Sequence, residues 1–263
     1  MNNAPQQVGA SANVMANPGE DPFQGCTSVT CYQEIALVES ICGIEAPNRY
    51  RICNTQTNQQ IMYCHENSEC CERICCAPCR TLTMNARPNA DKSSGVILSM
   101  QKPYHCPMIP CAVVPLSVGF TLPCVIGAFM SPATVTVRDG PDTSPNILGT
   151  VFDPPGPAFW CNIDLVLRDK NGTDIFTCGP KTLCSCGQLC PCCYGEYIPV
   201  KDMSGKEVGH INRPALTFEE CCCKINRFEV NFGSVTDPVH KKLIFAAGFL
   251  LDLQYWEQQK KNN

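Results

Sequence analysis

The sequence predicts a mainly β protein: about twelve strands closed into a barrel, built from a duplicated unit, with a hydrophobic C-terminal helix through its middle. Three observations carry that reading. Short strand-forming runs recur along most of the chain, separated by Asn, Asp and Gly turn chemistry. The 263 residues include 22 prolines, which argues against a helical protein. Near the C-terminus the pattern changes to a single, almost continuously apolar segment.

Residues 1–26 are small, polar and unpatterned, so a disordered tail is expected there, followed by one barrel domain over 27–258 and a polar tail over 259–263. Candidate strands are 33–38, 49–54, 60–65, 80–86, 95–100, 133–138, 147–152, 162–168, 173–178, 196–201, 206–211 and 225–232. The turns between them are explicit, among them Asp139-Gly140-Pro141, Asp169-Lys170-Asn171-Gly172 and Met203-Ser204-Gly205. A shift of 114 positions carries Cys64, Cys70, Cys76 and Cys79 onto Cys178, Cys184, Cys190 and Cys193, and Gly95 onto Gly209, which points to duplication.

Residues 239–258 read as one helix, with Pro238 at its start and Asp237 as the N-cap. It is apolar nearly all round, including Phe249, Leu250 and Leu251, but Asp252 interrupts it. A membrane span needs about 20 apolar residues, so burial inside the barrel is the expected role.

Charged residues make up 17% of the chain and the net charge is −4, with no basic patch, so nucleic acid is not an expected partner. The four histidines sit in no recognised catalytic motif, and there is no Gly-rich phosphate loop or other mark of an organic cofactor. An enzyme is therefore not expected.

The 23 cysteines are often adjacent, as at Cys70-Cys71, Cys75-Cys76, Cys192-Cys193 and Cys221-Cys222-Cys223, which does not suit a disulfide framework. The first 22 residues show no basic region followed by an apolar one, so reduced thiols are expected. Three readings stay open for them: buried core residues, acylation sites, or zinc ligands drawn from Cys64, Cys70, Cys76, Cys79, Cys178, Cys184, Cys190 and Cys193. Residues 103–137 contain no Asp, Glu, Lys or Arg and are broken by six prolines. Their apolar part, an insertion over 103–132, reads either as a buried strand pair with a loop or as a lobe dipping into one leaflet, with Cys106 and Cys111 as palmitoylation candidates.

Several motifs, in order, resemble the phospholipid scramblase family, relatives of the tubby-like fold. Gln33-Glu34 through Gly43-Ile44-Glu45-Ala46-Pro47-Asn48-Arg49-Tyr50 resembles the family's opening hairpin. CCERICC at 70–76 resembles its paired-cysteine loop, and Gly179-Pro180 with Leu183-Cys184-Ser185-Cys186 a second cysteine segment. Ala246-Ala247-Gly248-Phe249-Leu250-Leu251-Asp252 resembles its C-terminal helix. The resemblance implies a twelve-stranded barrel around a central helix and ATP-independent, bidirectional movement of phospholipids between leaflets, without covalent chemistry. It also implies a phospholipid membrane as partner, association with the cytosolic face of a membrane (the plasma membrane above all), further protein partners through the N-terminal tail, and calcium as cofactor. The family's calcium segment begins Asp-x-Asp; here Lys224 and Asn226 replace those acids, leaving Asn226, Glu229, Asn231 and Asp237 as candidate ligands. The alternatives are a lipid-binding or protein-interaction barrel without transport, and a zinc-stabilised cytosolic domain.

Overall fold

The structure, a computed structural model, describes residues 21–34, 46–76, 80–104, 133–154, 162–182, 194–215, 217 and 226–256. Twelve strands form a closed barrel: β1 (Ser28–Glu34), β2 (Arg49–Asn54), β3 (Gln60–Asn67), β4 (Leu82–Arg87), β5 (Leu98–Lys102), β6 (Thr134–Asp139), β7 (Ile147–Phe152), β8 (Asn162–Asp169), β9 (Asp174–Thr182), β10 (Glu196–Asp202), β11 (Glu207–Arg213) and β12 (Arg227–Asn231). Each strand pairs antiparallel with its neighbours in sequence. β1 closes the ring on β12, with Thr30 opposite Glu229. Two helices are described: α1 (Cys70–Cys76), between β3 and β4, and α2 (Pro238–Leu251), which continues into a wider π-type turn at Asp252–Trp256.

An up-and-down barrel sends its connections alternately to two ends. At one end, the turn end, the hairpins are short. The turns at Gly172 and Gly205 need left-handed backbone (φ +86° and +84°), which glycine adopts without a Cβ clash. Asp169 and Asp202 fix these hairpins by accepting hydrogen bonds from the backbone N–H groups of Thr173 (2.8 Å) and Lys206 (3.0 Å). The other end, the loop end, carries the five longest connections. The 114-residue shift lays β2 on β8, β3 on β9 and β4 on β10, strands that stand opposite one another in the ring, as a duplicated unit would place them.

Alternation along each strand turns apolar side chains inward, as with Tyr50 and Ile52, Val135 and Val137, and Phe228 and Val230. Helix α2 fills the space they enclose. It enters at the turn end and runs toward the loop end, packing on β6, β7, β8 and β12, with every residue from Lys241 to Leu251 buried. Asp237 caps it, accepting from Val239 N at 2.7 Å and His240 N at 3.4 Å. Phe249, in its last turn, meets Tyr50, Phe228 and Phe245 edge-on, with centroids 4.9–5.5 Å apart.

The structure corrects four details of the sequence reading. The first strand is Ser28–Glu34 rather than 33–38. The paired-cysteine motif at Cys70–Cys76 is a short helix, not a loop. The C-terminal helix changes pitch at Asp252 instead of running unbroken to 258. The barrel also begins before residue 27, because Asp21–Cys26 forms a strap across the turn end. Phe23 in that strap is fully buried, edge-on to Phe232 and Phe245. Lys241 Nζ donates to the carbonyls of Phe23 (3.2 Å) and Cys26 (2.7 Å), and Lys242 Nζ lies 2.8 Å from Asp21 and 3.3 Å from Asp139. Burial alone would lower the Lys242 pKa; the two aspartates outweigh it and raise it. The remainder of the predicted tail, residues 1–20 and 259–263, lies outside the described residues.

Close approach of wall and helix gives a direct test. A Cβ on Gly149 of β7 would stand 2.2 Å from the Arg168 carbonyl oxygen and 3.0 Å from Leu243 of α2. Gly149→Ala is expected to lower unfolding free energy by about 1–3 kcal/mol in urea titration. An unchanged midpoint would contradict this packing.

Candidate functional site

Polar and charged side chains gather where α2 emerges at the loop end. Asp252, 1% exposed, accepts from the Tyr50 hydroxyl and, at 2.5 Å, from Asn226 Nδ2. The Asn226 backbone N–H donates to Gln33 Oε1 (3.0 Å), and Gln33 Nε2 donates to Asn48 Oδ1 (2.6 Å). Asn48 Nδ2 donates to Glu66 Oε2 (2.8 Å), and Glu66 pairs with Arg80 at 2.9 Å. Lys102 Nζ then donates to the Arg80 carbonyl at 3.0 Å. This unbroken polar chain joins α2 to β12, β1, β2, β3 and β5.

A second group ties down the π-type turn. Trp256 Nε1 donates to Glu196 Oε2 (2.9 Å), Arg213 lies 3.9 Å from the other Glu196 oxygen, and the Tyr255 hydroxyl donates to Asp153 at 2.5 Å. These carboxylates differ in electrostatics. Burial would raise Glu66, but the Arg80 guanidinium holds it below the ordinary carboxylate range. For Asp153 burial is the largest effect and pushes it up to about 6, against the Tyr255 hydrogen bond and with Asp164 adding to the rise.

The candidate calcium ligands are not brought together. The two-residue period of β12 turns Asn226, Phe228 and Val230 inward and sends Glu229 and Asn231 to the outer face. Asn231 Oδ1 accepts from Gly233 N at 2.8 Å, and Asp237 is occupied in capping α2 at the opposite end from Asn226. Strand β12 alone puts about 16 Å between positions 226 and 231, whereas calcium needs its oxygens within about 2.6 Å of one point. The four residues therefore do not fit a common ion.

The cysteines divide by depth. Cys64 and Cys178, equivalent in the repeat, are fully buried inside the barrel, and burial pushes both thiols well up. That disfavours the thiolate a zinc site requires. Cys70, by contrast, is exposed on α1. Among the described residues no three His, Cys, Asp or Glu side chains are grouped to hold a metal, and the cysteines with described side chains are free thiols. The side chain of Cys76, together with Cys79, Cys106, Cys111, Cys184, Cys190 and Cys193 and most of the 103–132 insertion, lies outside the described residues. Phe249, Leu250, Leu251 and Asp252 are all in the barrel core, as expected of the central helix.

By its fold, then, the chain is a closed antiparallel barrel plugged by its own C-terminal helix, with a polar rim at the helix exit. Residues 9–131 match the Scramblase family profile. The chain is 23% identical over 246 residues to phospholipid scramblase 2 of Bos taurus, covering 92% of this chain and 73% of that one. It is 22% identical over 242 residues to phospholipid scramblase 1 of Homo sapiens (91% and 66%) and 22% identical over 244 residues to human phospholipid scramblase family member 5 (91% and 78%). No solved structure matches. The likeness to the phospholipid scramblase family read from the sequence motifs is borne out, over most of this chain and roughly two thirds to three quarters of these relatives.

Two predictions follow from the rim. Asn226→Asp restores an acid of the family's motif but sets a second carboxylate against Asp252. It is expected to destabilise the barrel by about 3 kcal/mol at neutral pH. The deficit should shrink in acid, where the pair shares a proton, and added calcium should not rescue it in thermal melts; full rescue by calcium would restore the calcium reading. Asp153 titrates the other way from a salt-bridged acid. Its folded pKa lies above the unfolded value, so the folded state gains from protonation below about pH 4 and loses that gain as pH rises through about 6. Asp153→Asn should therefore be more stable than the parent at pH 7.5 by roughly 1–3 kcal/mol and show a flatter stability curve between those limits.

Proposed function

We propose that the protein moves phospholipids between bilayer leaflets without ATP and without covalent chemistry, working at the cytosolic face of a membrane. The supporting observation is the likeness to proteins named phospholipid scramblases, over 92% of the chain for one of them. The barrel lumen is not the lipid path, because α2 and the inward side chains fill it. Among the described residues no helix is long and apolar enough to cross a membrane. Lipid movement would have to occur at the protein–bilayer contact, where local thinning or a polar rim lowers the barrier to a headgroup.

The same packed interior favours a second reading, a barrel that binds membrane lipid or protein partners without transport. Liposomes carrying labelled lipid separate the two: the pure protein, without nucleotide, is expected to expose inner-leaflet label to an external quencher. Bound protein with no acceleration would leave the non-transporting barrel. Run with calcium and with chelator, the assay also tests the stimulation that the family resemblance implies. The dispersal of Asn226, Glu229, Asn231 and Asp237 makes rates within about twofold of each other the expected outcome.

A further inference from the structure

Closure of the barrel assembles a charged surface that no basic run in the sequence announces. The antiparallel register sets Arg49, His65, Asn85, Ser99 and Arg138 side by side across β2 to β6, with Arg51, Tyr63 and Arg87 in the row beside them. These side chains are on the outer face, because the residues that alternate with them, such as Tyr50, Cys64, Ala86 and Val137, are buried in the core. Arg49 is exposed, as is Lys92 in the turn after β4; Arg51, His65, Arg87 and Arg138 are half-buried. With strands about 4.8 Å apart, the row from Arg49 to Arg138 runs about 19 Å.

Acids do not cancel this strip. The two within β2 to β6, Glu66 and Asp139, are turned to Arg80 (2.9 Å) and Lys242 (3.3 Å). Glu34, at the edge on β1, stands opposite Arg49 and accepts from the Tyr63 hydroxyl at 2.7 Å. Asp91, beside Lys92, accepts from the Ser93 backbone N–H (2.9 Å) and hydroxyl (2.6 Å). Glu69, Glu72 and Asp142 lie in the connections, beyond the strand ends. On the wall itself the four arginines and Lys92 therefore stand against Glu34 and Asp91. The outer face of β7 to β12 is different: Arg168 pairs with Asp174 at 2.7 Å, Lys201 acts on Asp164, and Arg227 and Glu229 alternate along β12. His65 registers the local field. Burial lowers its pKa, Lys92, Arg49 and Arg87 lower it further, and Glu66, itself paired with Arg80, opposes them.

We propose that the outer wall around His65, between Arg49, Arg87 and Lys92, binds a phosphomonoester carried by a phospholipid headgroup. Such a group presents about two negative charges and three acceptor oxygens. Two guanidinium forks and an ammonium match it in charge and in donors. Arg87 is braced on the wall, its Nε donating to the Ser94 carbonyl at 3.1 Å. A strand wall is open to water on its outer side, so a lone phosphate would be held weakly there. A lipid surface supplies neighbouring headgroups as well. Arg51 and Arg138, on the same face, can meet those, and several weak contacts then act together. The inference rests on the reading that the protein works on phospholipid bilayers.

Flotation of the full-length protein tests it, with phosphatidylcholine vesicles carrying either phosphatidic acid, whose headgroup is a bare phosphomonoester, or phosphatidylserine at matched charge. Binding to phosphatidic acid is expected to be tighter by at least about fivefold. Arg49→Gln with Arg87→Gln should weaken it at least about tenfold, and Lys92→Gln, in an exposed turn, about fivefold. Arg168→Gln with Lys201→Gln, on the other half of the wall, should stay within about twofold of the parent. Proton NMR gives a readout that needs no variant: bicelles containing phosphatidic acid should raise the His65 pKa and leave His210 unmoved. Equal binding to the two vesicles, full binding by the Arg49 and Arg87 variant, or an unmoved His65 overturns the site even if lipid scrambling is observed. Inorganic phosphate alone raising His65 as far as the lipid does, or polyglutamate binding as tightly as the vesicles, overturns the headgroup as occupant. No binding of the parent to either vesicle would instead sink the proposed function on which the site rests.

Discussion

A ring of twelve strands encloses more space than its own side chains can fill, and that constraint governs the rest of the molecule. About eight strands leave an interior that inward side chains can just fill; larger rings hold a channel or need a plug. Here the plug is α2, whose sequence is shaped by having wall on every side. It is apolar all round, and its small residues Ala246, Ala247 and Gly248 fall where the wall is nearest: a Cβ on Gly248 would stand 2.9 Å from Phe228 and 3.0 Å from Val230. Each large side chain it buries, such as Ile244, Phe245 or Leu250, contributes about 1.5–3 kcal/mol by removal from water. Barrel and helix therefore stabilise one another, since neither buries its apolar face alone.

A smooth apolar rod in an apolar tube has no preferred depth. Polar groups at the two ends of α2 supply one. Lys241 and Lys242 are fixed by the strap and Asp139 at the turn end, and Asp252 by Tyr50 and Asn226 at the loop end. Buried charges of this kind add little net stability over apolar packing, but leaving one unpartnered costs several kcal/mol. Sliding the helix by one turn would break both sets at once. Their role is to fix register, and the strap is drawn into the fold because it carries acceptors for those lysines.

The barrel was legible because strand period, turn chemistry and helix period each leave a local trace. Eleven of the proposed strands overlap observed ones closely, and the Asp237 cap and buried helix were readable in the same way. The first strand was misplaced because Tyr32 to Val38 looks more strand-like than SVTCYQE. In the fold Ser28 and Thr30 are buried too, and Thr30 satisfies its hydroxyl against Thr55 at 2.9 Å. Helix α1 was hidden by its thiols, since nothing in CCERICC shows that Arg73 Nη1 will donate to the Ser68 hydroxyl or that Glu72 will accept from Thr81 N at 2.7 Å. The polar rim left no trace at all. Its links join residues as far apart as Gln33 and Asn226, or Tyr50 and Asp252, so only closure of the barrel brings them together. The candidate calcium segment shows the opposite case: it is local in sequence, but a strand's alternation sends its successive oxygens to opposite faces.

The same anchoring decides what α2 can do in a membrane. To span a bilayer it would have to leave the barrel, and its 14 residues reach about 21 Å where the hydrocarbon is about 30 Å thick. Extending it through Asp252–Trp256 would carry a carboxylate into lipid, stripped of Tyr50 and Asn226. At the other end Lys241 and Lys242 would lose every acceptor they now have in the strap and β6. Behind it the withdrawn helix would leave an apolar cavity running the length of the barrel, far costlier than the single-residue voids that already destabilise cores by several kcal/mol. With the barrel closed, α2 is a core element, and any contact with lipid must be made by the outside of the molecule.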